Sequence, residues 1–122
     1  MSADQALQLL DLAANGESLS KTDATAAAKF VKGLLALAFS QRVTEDLASD
    51  KFKLSKILPT LGVPANQIVA FIKAMNSLEN GSTSGVQKPM LQKISDVTQE
   101  LLRRVIGNRN ALTAVQNTNR GL

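Results

Sequence analysis

Every long segment of this chain repeats its apolar residues at the spacing of an α-helix, and none alternates them at the spacing of a strand. Leu54, Ile57, Leu58 and Leu61 form one such set. Ile68, Phe71, Ile72 and Met75 form a second. Met90, Ile94, Val97, Leu101 and Val105 form a third, flanked by Leu91 and Leu102. The pattern predicts an all-α fold: a compact orthogonal bundle of five to seven helices around a buried central helix at about residues 22–41. At 122 residues the chain reads as a single domain, long enough to bury roughly two thirds of its unfolded surface.

Local signals set the ends of the helices. Ser2 followed by Gln5 fits a capping box opening a helix at 3–14, and Asn15-Gly16 supplies a left-handed stop. Its inward positions are Ala3, Leu7, Leu10 and Ala14, beside Ala6, Leu9 and Ala13. The helix at 22–41 opens near Thr22 or Asp23. It carries Phe30, Val31, Leu34, Leu35, Leu37, Ala38 and Phe39 on more than one side, which marks it as central. Gly33 inside it costs about 1 kcal/mol relative to Ala, and a close helix crossing is the expected compensation. A shorter helix at 52–61 contains Pro59, which distorts or ends it. Gly62-Val63 makes the turn, and Pro64 opens a helix at 64–78 that Asn80-Gly81 stops. Residues 80–88 read by composition as a flexible linker before a long C-terminal helix at 89–106, with a last short helix at 109–118.

What is missing narrows the chemistry. The chain has no His, Cys, Tyr or Trp and only four Phe, so its core is aliphatic. Without His and Cys there is no imidazole or thiolate catalysis and no zinc site of the usual kind. Glu45, Asp46 and Asp50 are the densest acidic group, but neighbours on a helix point apart and do not converge on an ion. No enzyme, cofactor or metal is expected. The first fifteen residues carry Asp4 and Asp11 and no cation, unlike a secretory signal, and no segment is long and apolar enough to span a bilayer. The expected location is cytoplasmic. An amphipathic surface role for residues 24–39, with Lys29 and Lys32 on one face, competes poorly with core burial.

Charge is unevenly distributed. Residues 1–50 hold four cations and seven acids, whereas residues 51–122 hold ten cations and three acids, giving halves of −3 and +7. Beyond Leu101 there are four arginines and no acid. Lys88, Arg103, Arg104, Arg109 and Arg120 are the candidate contacts to an anion or an acidic partner. On the long helix, Lys93 with Asp96 and Glu100 with Arg103 or Arg104 have the spacing of pairs on a solvated face.

Leu61, Gly62, Val63 and Pro64 between two short apolar helices are patterned like a helix-turn-helix unit over about 52–78, with Ile68 inward. In that arrangement Asn66, Gln67 and Lys73 would face DNA bases. Pro59 within the supporting helix, and Val69 and Ala70 on the second, favour a buried hairpin instead. Single-strand binding lacks exposed aromatics to stack bases. The leading expectation is a non-enzymatic helical interaction or assembly module, self-associating or bound to a protein partner, of the virion, secretion or regulatory accessory type. The alternative is a small basic DNA-binding regulator.

Overall fold

A computed structural model of the chain describes the backbone of residues 1–38 and 51–106 and the side chains of 1–37 and 54–104. Expectations for Phe39, the acids at 45, 46 and 50, Arg109, Arg120 and a helix at 109–118 lie outside the described residues, as do the side chains of Phe52 and Val105. The described residues form five α-helices and no strand. They are α1 (Ala3–Ala14), α2 (Lys21–Ala38), α3 (Lys51–Ile57), α4 (Ile68–Glu79) and α5 (Lys88–Ile106). Short 3₁₀ turns at Leu58–Leu61 and Ala65–Gln67 lie between α3 and α4.

The caps follow from the residues that make them. Gln5 donates its backbone N–H to Ser2 Oγ at 3.2 Å, and Ser2 donates its own to Gln5 Oε1 at 3.0 Å, closing the box. α2 is capped two to three residues earlier than its sequence suggested, by Ser20, whose Oγ accepts from the Asp23 N–H at 3.1 Å. α1 and α4 end in the same way. Glu17 N–H reaches Leu12 O, and Gly16 N–H reaches Ala13 O, both at 3.0 Å. Ser82 N–H reaches Ser77 O at 3.0 Å, and Gly81 N–H reaches Leu78 O at 2.8 Å. These are Schellman motifs, and they need the left-handed glycines found there, with φ of 97° at Gly16 and 87° at Gly81.

The residues at 80–88 are occupied by turns. Ser77 Oγ donates to Ser82 O at 3.1 Å, Ser84 N–H donates to Ser82 Oγ at 3.1 Å, and Val86 N–H donates to Thr83 O at 3.3 Å. Val86 itself packs on the core.

α1 packs along α5 and α2, α2 packs on α4 and α5, and α4 also meets α3 and α5. Alanines make the close approaches: Ala6 and Ala13 on α1 and Ala24, Ala27 and Ala28 on α2 are all buried. Phe30, Phe71, Leu34, Leu35 and Met75 fill the space between them. Lys29 remains exposed, so α2 keeps one face in water. Gly33 corrects an expectation: a Cβ built there would meet no described atom within 4 Å. The crossing that was to compensate for this glycine is absent among the described residues.

Two buried polar residues sit on the inward side of α5, and both are satisfied. Ser95 Oγ donates to Asp11 Oδ1 of α1 at 2.9 Å, and Thr98 Oγ1 donates back to Ile94 O at 2.8 Å. No buried side-chain nitrogen or oxygen among the described residues lacks a partner.

Candidate interaction surface

The corner between α3 and α4 begins with Pro59. The chain tightens from α-helix to 3₁₀-helix at Leu58, which places Pro59 in the first turn, where its missing N–H costs nothing. Gly62 then takes φ 93°, and Val63 N–H closes the turn on Leu58 O at 3.0 Å. The two apolar segments Leu54–Leu61 and Ala65–Glu79 meet at a bend of 112°. Leu54, Ile57, Leu58, Leu61 and Val63 are buried on the first side and Ile68, Phe71, Ile72, Ala74, Met75 and Leu78 on the second. Pro59 therefore does not obstruct the unit.

The opposite face of α4 is open. Ala65, Asn66, Val69, Ala70 and Lys73 are exposed, while Gln67 is half-buried. Val69, at 46% exposure, is the one large hydrophobic side chain exposed among the described residues. The 66, 69, 70, 73 spacing puts these residues on one helical face. The contrast with α5 is sharp. Its outward residues include Gln92, Asp96, Gln99, Arg103 and Arg104, a charged and amide-rich surface that suits water. The outer face of α4 carries a single charge.

Cations surround the corner. Lys93, expected on Asp96, instead donates to Gly62 O at 3.2 Å, and Asp96 accepts from Gln92 Nε2 at 3.1 Å. The turn takes the Gly62 carbonyl out of the helical pattern, and the Lys93 ammonium binds it. Arg104 Nη2 reaches Thr60 O at 3.1 Å while its Nε lies 3.5 Å from Glu100 Oε1. Arg103, with its side chain 79% exposed, sits 3.6 Å from Glu100 Oε2. Both expected Glu100 pairs form. Lys73 stands on the open face itself. Lys88 is remote from Arg103 and Arg104, at the other end of α5, and closely approaches Gly16.

Two shallow clefts flank the start of α5. One of about 400 Å³ is walled by Gly16, Ser18, Ser82 and Ser84, with Lys88 and Glu17 supplying opposite charges. The other, about 380 Å³, extends the outer face of α4 through Ala70, Lys73 and Ser77 to Val86 and Met90. Among the described residues no three His, Cys, Asp or Glu gather as a metal site would require. No single helix among them is long and apolar enough to cross a membrane. The sequence had placed Asn66, Gln67 and Lys73 on this face, but Val69 and Ala70 had favoured a buried hairpin, whereas the structure leaves both exposed. Comparison with models of protein families, with curated proteins and with solved structures finds no match to this chain.

Proposed function

We propose that this chain is a non-enzymatic binding module whose working surface is the outer face of α4 together with the corner that leads into it. One observation carries the reading: α4 presents to solvent a face of small and apolar residues with only Lys73 charged. A solvent-facing helix normally carries charged and polar residues there, as α5 does. Small residues permit close approach, and an uncharged helix surface is cheap to remove from water. The missing imidazole and thiol chemistry supports binding over catalysis. α4 is packed against α2, α3 and α5 behind this face, with α2 proposed as the centre of the bundle and the cytoplasm as its location.

Site-specific photo-cross-linking in cells tests this without naming the partner. A photoreactive residue is placed at 66 in the turn before α4 or at 69 or 73 on α4, and in parallel at exposed positions 8 on α1 and 29 on α2. Adducts concentrated at 66, 69 and 73 are the expected result. Adducts spread evenly, or found only on α1 and α2, would contradict the reading.

A further inference from the structure

We infer that the partner of this face is duplex DNA, with α4 seated in the major groove and the α3–α4 corner resting on the phosphate backbone. The inference rests on the reading of α4 as the working surface and adds the partner to it. Four features of the corner carry it.

The first is geometry. A helix pair at 112°, joined by three residues with a left-handed glycine, has the proportions of a helix-turn-helix. In such units the second helix enters the major groove and the first crosses the backbone. Here the second helix is the one with the open outer face. The second feature is charge. Residues 54–78 contain Lys56 and Lys73 and no acid. Lys93 and Arg104 reach the same corner from α5, binding the carbonyls of Gly62 and Thr60. Glu100 offsets part of the charge of Arg104, and Glu79 at the far end of α4 is held by Lys32 at 2.9 Å. A polyanion is the complementary surface.

The third is fit. A helix with side chains is about 10–12 Å across and the groove about 12 Å wide, so bulky outward residues would hold the helix off. Ala65 and Ala70 keep the profile low. The fourth is chemistry. Asn66 has the amide that pairs with the N6 and N7 edge of adenine, and the methyl groups of Val69 and Ala70 match the thymine methyl. Lys73 is one turn further along, within reach of a guanine edge or a phosphate. A site containing A·T pairs follows. A protein partner is less well served, because Val69 alone offers large apolar area on this face, and stable protein interfaces bury about 1,200–2,000 Å².

The test is fluorescence anisotropy with the full chain and a pool of random duplexes of about 20 base pairs, at about 50 and 200 mM KCl. Binding at the lower salt that falls about tenfold or more at the higher is expected. Lys73→Glu should weaken it about tenfold, whereas Lys29→Glu, the same charge change on α2, should stay within about twofold. For a site enriched from the pool, Asn66→Ala should reduce preference over random duplex by about five- to 150-fold. No binding at low salt, equal losses for Lys73→Glu and Lys29→Glu, or equal affinity for the matching RNA duplex, whose major groove is too narrow for a helix, would overturn the inference. Protein adducts at the α4 cross-linking positions without DNA binding would sink the DNA partner and leave the working surface standing. No adducts at α4 would remove both.

Discussion

Lys32 and Glu79 show what a single pair of residues does for this fold. Glu79 closes α4, where a carboxylate meets the negative end of the helix dipole. Lys32 on α2 offsets this, its Nζ lying 2.9 and 3.2 Å from the two carboxylate oxygens, and Thr25 Oγ1 binds the Glu79 carbonyl at 3.0 Å. With side chains only 11% and 22% exposed, this pair is screened less than a surface bridge. A double-mutant cycle with Lys32→Met and Glu79→Gln, read by urea unfolding, should give a coupling of about 0.5–2 kcal/mol. Additive single effects would mean that the pair does not link α2 to α4. The glycines divide the other way. Gly81 sits left-handed against Lys21, so that a Cβ would collide with the lysine's stem and approach its backbone. Gly81→Ala should therefore cost at least about 1–2 kcal/mol. Gly33→Ala, with open space and a helical backbone, should stabilise by about 0.5–1 kcal/mol. If both changes destabilise equally in thermal melts, Gly33 is covered by something outside the described residues.

At the scale of elements, α2 and α4 were readable from apolar spacing, and their buried faces follow from it. Leu34→Ala or Leu35→Ala should cost about 2–5 kcal/mol, since both are buried. Lys29→Ala, on the exposed face, should stay within about 0.5 kcal/mol. Small losses at both leucines in chemical denaturation would place that face at a surface. The Ser2 box and the Asn-Gly stops were equally legible, because caps are local chemistry. Two features were not, and each depends on distant residues. Whether Gly33 lies at a crossing depends on where α4 and α5 pass. Lys93 has an acid three residues away, yet it binds Gly62 O across the corner, because the fold brings that carbonyl within 3.2 Å. Pro59 was expected to distort or end its helix, and α3 does give way to a 3₁₀ turn at Leu58. As for the site, Asn66, Lys73 and Arg104 were named from composition and spacing. That Val69 and Ala70 are uncovered could be known only once every neighbour of α4 was placed.

For the whole molecule, the charge split has an internal outlet. α1, with Asp4 and Asp11 and no cation, lies along the basic α5, and Asp11 accepts the hydroxyl of Ser95. Sedimentation at several concentrations and two salt levels should therefore find a monomer throughout. An oligomer that weakens with salt and is lost when Arg103 and Arg104 become Glu would instead put the acidic half of one copy against the basic half of another. The central claim concerns the outer face of α4, which is exposed and carries Lys73 as its single charge. Its most direct test is to follow backbone amide shifts of the isotope-labelled chain during titration with duplex DNA at low salt. The account predicts shifts concentrated at Asn66, Val69, Ala70 and Lys73, with the outward amides of α1 and of α2 around Lys29 unmoved. Shifts centred on α1 or α2, or no shifts at any residue, would contradict it.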